Sequence, residues 1–272
     1  MTAPPLLFDT KAIGGNRQRA RDPGLFLHRA ARDVVEDRLS LINRTFTNIT
    51  VVTPFPQIWA DFADGATMIA DTDTLDLQPE SQGLIVHAMC LHWANDPVGQ
   101  MIQSRRALRP DGLFLAVLLG GTTLRELRDV LRDAETTVSG GLAPRVSPTG
   151  DIRDLGALLQ RAGFALPVAD SETLTAEYRN LTHLAHDLRD MGETNALAAR
   201  PRGFSRRAMF RQADETYKSR YGLRNGRIPA TFEMISLTGW APSQDQPQPL
   251  RPGSAAARLA DALGTDEFQL PD

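Results

Sequence analysis

Two nearly unbroken apolar runs, Gly83-Leu84-Ile85-Val86-His87-Ala88-Met89 and Leu113-Phe114-Leu115-Ala116-Val117-Leu118-Leu119, read as strands covered on both faces. Between them Val98, Met101, Ile102 and Leu108 recur at helical spacing behind Asp96-Pro97, an acceptor at the N-cap and proline at the first helical position. Pro110-Asp111-Gly112 then turns the chain into the second run, which makes a strand–helix–strand unit. Upstream, Leu27, Ala30, Ala31, Val34, Val35, Leu39 and Ile42 predict a helix from about Gly24 to Arg44. Ile49-Thr50-Val51-Val52 is a β-branched strand, Ile58, Trp59 and Phe62 suggest a short helix, and Thr67-Met68-Ile69-Ala70 is a second strand ending at Asp71.

The pattern persists downstream. Gly120-Gly121 leads to Thr123 with Glu126 three residues on, a predicted capping box for a helix that buries Leu124, Leu127, Val130 and Leu131. Another helix runs from about Asp151 to Ala162 and stops at Gly163, which suits a left-handed C-cap. Late strands are expected near Phe164 to Val168 and Thr231 to Leu237, with a helical cap from about 181 to 221 between them. Alternating strands and helices predict an α/β, doubly wound, mostly parallel sheet. After Trp240 the residues Gln244, Gln246, Pro247, Gln248, Pro249 and Pro252 mark a linker, and a short amphipathic helix from about Ser254 to Leu263 follows. The division is therefore one domain over 1–240 and a tail over 241–272.

Composition narrows the function classes. With 272 residues, 42% hydrophobic, 23% charged and a net charge of −3, the chain has an ordinary globular composition with no overall attraction to nucleic acid or anionic membranes. No apolar stretch reaches the roughly 18 residues of a membrane span. Cys90 is the single cysteine, so internal disulfides and cysteine-rich metal sites are excluded and a reducing, cytoplasmic setting is expected. The sequons at Asn43, Asn48 and Asn180 are then chance matches. Nucleophile-elbow, P-loop and zinc-ligand spacings do not occur, which sets aside hydrolases and kinases.

The turn after the first strand is the informative departure. A doubly wound fold that binds a nucleotide places glycines there, so that the backbone turns tightly and its N–H groups approach the ligand. This chain has Thr53-Pro54-Phe55-Pro56, and proline has no N–H to offer. A dinucleotide oxidoreductase is excluded on the same ground.

Several phrases together resemble one family: Leu91-His92-Trp93-Ala94-Asn95-Asp96, Leu108-Arg109-Pro110-Asp111-Gly112-Leu113-Phe114, Gly120-Gly121-Thr122-Thr123-Leu124-Arg125-Glu126-Leu127-Arg128, Gly140-Gly141-Leu142-Ala143-Pro144-Arg145-Val146-Ser147-Pro148, Leu159-Gln160-Arg161-Ala162-Gly163-Phe164, Asp190-Met191-Gly192-Glu193-Thr194-Asn195 and Gly226-Arg227-Ile228-Pro229-Ala230-Thr231. They are similar to the methyltransferase-like complex I assembly factors, relatives of the biotin-pathway methyltransferase that esterifies malonyl-acyl carrier protein. The resemblance implies a class I S-adenosylmethionine-dependent fold with a seven-stranded sheet, here truncated in its N-terminal half, a helical insertion near the C-terminus, and a role in building respiratory complex I. It also implies a glycine loop after the first strand and a ribose-binding acid after the second. About thirty residues between Val52 and Gly83 are too few for that set, so Thr67 to Asp71 matches the family's third strand and the ribose acid is absent.

On this resemblance Thr53, Asp71, Thr72, Asp73 and Leu91 are the candidate cofactor-binding residues, and His92, Trp93 and Asn95 the candidate catalytic ones. His92 and Trp93 follow a buried strand at its carboxyl end, where α/β sheets put ligands, although packing of the indole and a hydrogen bond to the next turn would also explain them. Glu193 and Asn195 could face a peptide substrate from the cap, or cap a helix. His183, His186 and Asp187 share one helix face at metal-ligand spacing but lack a third ligand, so no metal site is assigned. Asp71, Asp73 and Asp76 form an acidic cluster, and Arg17, Arg19 and Arg21 a basic one after Gly14-Gly15, each read as a solvated face or a charged-partner site. The expectation is a cytoplasmic complex I assembly factor that binds a protein partner, with its S-adenosylmethionine site degenerate. The alternative is an active methyltransferase or arginine hydroxylase acting on a protein or an acyl carrier protein, its cofactor held by a loop rebuilt at Thr53 to Gln57.

Overall fold

The apolar runs become the middle of a six-stranded sheet in a computed structural model that describes residues 6–246 and residue 264. The strands are β1 (Ile49–Val52), β2 (Thr67–Ile69), β3 (Gln82–Ala88), β4 (Leu108–Leu119), β5 (Ala165–Tyr178) and β6 (Ile228–Trp240), in the spatial order β2-β1-β3-β4-β6-β5. Neighbours from β2 to β4 are parallel, and β6 runs antiparallel to both β4 and β5. The helices are α1 (Thr10–Gln18), α2 (Phe26–Leu41), α3 (Pro97–Ala107), α4 (Arg125–Ser139), α5 (Ile152–Arg161), α6 (Leu181–Asp190) and α7 (Arg207–Tyr221). The doubly wound, mostly parallel sheet is as the residue pattern predicted. The chain divides into two compact units, Met1–Pro242 and Ser243–Asp272, and the tail helix expected from about Ser254 to Leu263 lies outside the described residues.

Alternation along β4 builds both cores. Leu113, Leu115, Val117 and Leu119 pack with α2, α4, α6 and α7 on one face, while Phe114, Ala116 and Leu118 pack with α3 and α5 on the other. Both faces are covered, which is why β3 and β4 carry so few polar positions.

Several expectations are corrected. Six strands stand where the resemblance implied seven, and β2 pairs directly with β1, Thr50 beside Thr67 and Val52 beside Ile69. Only a short 3-10 turn, Pro56–Ile58, interrupts the chain between them. The capping box at α4 does not form. Leu124, in the left-handed region at φ 54°, precedes the helix without a side-chain cap. Glu126 instead accepts from the Thr231 N–H and hydroxyl, and Thr123 bonds the backbone of Glu233, so both side chains tie α4 to β6. Pro110-Asp111-Gly112 lies inside β4 as an irregularity, with Asp111 at φ 61°. The two last strands are much longer than expected because they pair with each other from Ala165 to Tyr178.

The first helix was missed altogether. Gly14-Gly15 lies inside α1, where two glycines lower helix propensity and the sequence gives no apolar stripe. The helix forms because Asp9 caps it, accepting from the Ala12 N–H at 3.0 Å, and because its ends are tied to the domain.

Candidate functional site

The carboxyl ends of β1, β3 and β4 open under α1 and the α6–α7 cap. β3 ends at Ala88, and a 3-10 turn over Leu91–Trp93 delivers His92 and Trp93 to this edge. Trp93 lines two recesses, one on either side.

On the first side, α1 is strapped across the strand ends. The Phe8 N–H donates to Asn95 Oδ1 at 2.9 Å and Asn95 Nδ2 donates back to the Phe8 carbonyl at 3.2 Å. Asn16 donates to the Thr194 carbonyl at 2.7 Å, and Asp9 pairs with Arg200 at 2.9 Å. Arg17 reaches down and holds Asp71 in a two-toothed ion pair, both bonds 2.8 Å. The recess between them, about 330 Å³, brings together Asp71, Thr72, Asp73, Trp93 and Asn95 with Thr10, Gly14 and Gln100. Of the cofactor candidates, Thr53 and Leu91 do not line it. Thr53 is buried, with its N–H on the Ile69 carbonyl at 2.9 Å and its hydroxyl accepting from the Phe55 N–H at 3.2 Å. Leu91 belongs to the core of the α3 face. Asn95 serves as a clamp on the N-terminal strap, and the basic segment read as a solvated face supplies Arg17 to a pair only 18% and 12% exposed.

On the second side lies a cavity of about 280 Å³, walled mainly by Leu119, Leu124, Leu127, Leu131, Leu188 and Phe232. Its polar floor is the Glu193 carboxylate, which accepts from Trp93 Nε1 at 2.8 Å and lies 3.4 Å from His92 Nε2. The Leu119 N–H points at the other ring nitrogen, Nδ1, at 3.5 Å. Burial pushes the Glu193 carboxyl up, but the charge and hydrogen bond of His92, with His28 and Trp93, outweigh it and hold it below its ordinary value. The arrangement can hold a proton or a cationic group against apolar walls, and it offers no nucleophile paired with a base. Asn195, from the same phrase as Glu193, also lines this cavity, and its amide bonds the Pro144 carbonyl at 2.8 Å.

Three further titratable side chains are buried nearby without lining either recess. His28, on the apolar stripe of α2, is buried against Phe55 with ring centroids 4.6 Å apart, and neither ring nitrogen has a partner. Its desolvation holds it neutral, with a pKa of about 4. His87, in β3, is fully buried and bonded to Gln100 at 2.9 Å, and desolvation likewise lowers it to about 4. Cys90 contacts His87 Nδ1 at 3.2 Å, and burial pushes its thiol well up, so it is no ready nucleophile. His183 packs edge-on against Tyr178 and His186 is exposed; no group of three metal-ligating side chains occurs among the described residues. No helix among the described residues is long and apolar enough to cross a membrane.

No protein-family model matches the chain. Over 193 residues it is 42% identical to "Arginine-hydroxylase NDUFAF5, mitochondrial" of Dictyostelium discoideum, covering 71% of this chain and 44% of that protein. Over 179 residues it is 35% identical to the malonyl-[acyl-carrier protein] O-methyltransferase of Laribacter hongkongensis, covering 65% and 57%. The chain thus spans about half the length of the curated relatives it matches. A solved structure from Bacillus halodurans, described as a candidate methyltransferase, aligns over 76% of this chain and 98% of its own at 13% identity and a TM-score of 0.49.

Proposed function

The chain belongs to the methyltransferase-like family of the complex I assembly factors and their malonyl-acyl carrier protein methyltransferase relatives, and on that premise we propose that it assists assembly of respiratory complex I by binding protein, without S-adenosylmethionine. One observation carries the second half of this reading: none of the four residues that follow β1, Thr53 to Pro56, has a backbone donor to spare. Pro54 and Pro56 have none, the Thr53 N–H is spent on Ile69, and the Phe55 N–H on the Thr53 hydroxyl. Of Asp71 and Asp73, the pair that the resemblance places against an adenine, Asp71 is taken by Arg17. The residues present therefore do not fit a class I cofactor site. The acting domain is 1–240, with the cap over 181–221 forming one wall of the cavity, in a reducing compartment that suits the lone buried Cys90.

A second reading, chemistry on a protein side chain, draws on the His92–Glu193 pair opening into that cavity. Complementation of a gene deletion separates the two. In a host lacking this protein, membrane NADH:quinone oxidoreductase activity should fall about tenfold or more, with subcomplexes accumulating on native gels. His92→Gln, which keeps a donor for Glu193, restores assembly if the protein acts by binding and fails to restore it if the imidazole performs a chemical step. Unchanged complex I in the deletion host would remove the assembly role.

A further inference from the structure

One wall of the mouth of the apolar cavity, at Phe210, is supplied by a segment unlike the rest of the surface. Between Glu193 and Asp214 the chain has five arginines, at 200, 202, 206, 207 and 211, and no carboxylate, in a protein of net charge −3. Arg200 and Arg202 share Asp9, whereas Arg207 and Arg211 are exposed and have no acidic partner among the described residues. Two bulky apolar side chains stand among these charges in the chain: Phe204 is fully exposed, and Phe210, 40% exposed, is also part of the cavity wall. Arg145 joins the two loops of the mouth, donating to the Ser205 hydroxyl at 2.9 Å and to the buried Glu135 at 2.7 Å, with its guanidinium 6.0 Å from the Phe210 ring centroid.

An apolar recess whose Phe210 wall comes from a helix that also carries exposed, unpaired arginines is suited to an acidic segment that bears a bulky apolar residue: the arginines attract the carboxylates and the recess desolvates the side chain. On the helical wheel of α7, Phe210, Arg207 and Arg211 fall within about 100° of one another, so charge and wall belong to one face. We infer that this mouth docks an acidic peptide segment of a protein partner and that one bulky apolar side chain of that segment enters the cavity. The inference rests on the reading that the protein acts by binding protein. A concave recess behind the rim favours a peptide over a lipid surface, which would meet a protruding apolar face.

The probe is a fluorescein-labelled heptapeptide, Glu-Glu-Gly-Trp-Gly-Glu-Glu, followed by anisotropy on the full chain. Three partners accompany it: the same peptide with alanine for tryptophan, the same with lysines for glutamates, and vesicles of equal parts phosphatidylglycerol and phosphatidylcholine. Expected are saturable binding of the acidic tryptophan peptide, a loss of about fivefold or more with alanine, and none with the lysine peptide. Arg207→Glu with Arg211→Glu should weaken it about tenfold or more, and Ala185→Trp, which adds a ring at an exposed position on the cavity wall, should weaken the tryptophan peptide more than the alanine one. All replaced positions are exposed, so folding is retained and is checked by melting. Equal binding of acidic and basic peptides, no binding of either, indifference to the charge reversal, or retention by the vesicles alone would overturn the proposal. None of these outcomes bears on whether S-adenosylmethionine binds, so the absence of a cofactor can stand if the docking surface fails.

Discussion

Leu115→Asp abolishes the folded state. Leu115 is 1% exposed at the centre of β4, level with Val86 of β3 on one side and Thr238 of β6 on the other. Its side chain enters the larger core, among the apolar residues of α2, α4, α6 and α7, where an ionised carboxylate meets neither water nor a partner. Burying an uncompensated charge costs several kcal/mol or more, and the leucine contacts are lost besides, against a total stability of about 5 to 15 kcal/mol. Circular dichroism and limited proteolysis of the variant should show an unfolded chain. Leu166→Asp, at a 45% exposed position on the edge strand, should melt close to the wild type. If Leu115→Asp melted like the wild type, the placement of the sheet would be wrong.

Mild acid should unfold the protein unusually early. His28 and His87 are held at about 4 in the folded chain, against about 6.5 when unfolded. A histidine depressed by folding leaves stability intact above the unfolded value, and that stability drains as pH falls from about 6.5 towards 4, because the unfolded chain takes up the proton first. Two such groups give a slope of about 2.7 kcal/mol per pH unit and a total near 7 kcal/mol, an appreciable part of an ordinary stability. Below that window Glu193, whose carboxyl lies under its normal value, adds a loss of its own as it protonates. Chemical denaturation at stepped pH should show the slope. His28→Phe, which puts an apolar ring beside Phe55 where the imidazole has no hydrogen-bond partner, should roughly halve it. A stability that stays flat from pH 6.5 to 4 would mean that these imidazoles are not desolvated as described.

The sheet was legible because both of its faces are covered, so burial wrote itself into the sequence as two apolar runs that no helix of that length would need. The Asp96-Pro97 start of α3 and the Gly163 stop after α5 were legible for a local reason, since caps depend on residues a few positions apart. What local rules could not reach was anything settled by distant partners. Glu126 looked like a capping residue, but Thr231, far along the chain, offered it two donors at once. Arg17 looked solvated until α1, itself invisible beneath two glycines, carried it to Asp71. His28 sat unremarked on an apolar stripe, because a sequence does not say which buried imidazole lacks a partner. In the candidate site, the placement of His92 and Trp93 at a strand end is readable from position alone, whereas their common acceptor, Glu193, lies about a hundred residues on and reads from the sequence as facing a peptide substrate or capping a helix, with no sign of these two partners. Thr53 and Leu91 are expected to face a cofactor and are buried instead, Thr53 in the turn after β1 that folds inward around Phe55 and Leu91 in the core of the α3 face.

The measurement that tests the central claim most directly is calorimetric titration of S-adenosylmethionine, and of S-adenosylhomocysteine, into the full chain and into Arg17→Ala. Each backbone or carboxylate hydrogen bond that the turn and Asp71 withhold removes about 1 to 3 kcal/mol, so losing several raises the dissociation constant by orders of magnitude. Freeing Asp71 in Arg17→Ala returns one acceptor and none of the missing N–H donors, so that variant should remain a poor binder. The account predicts no saturable heat below about millimolar ligand for either protein, whereas micromolar binding by the wild type, about 4 kcal/mol stronger, would contradict it.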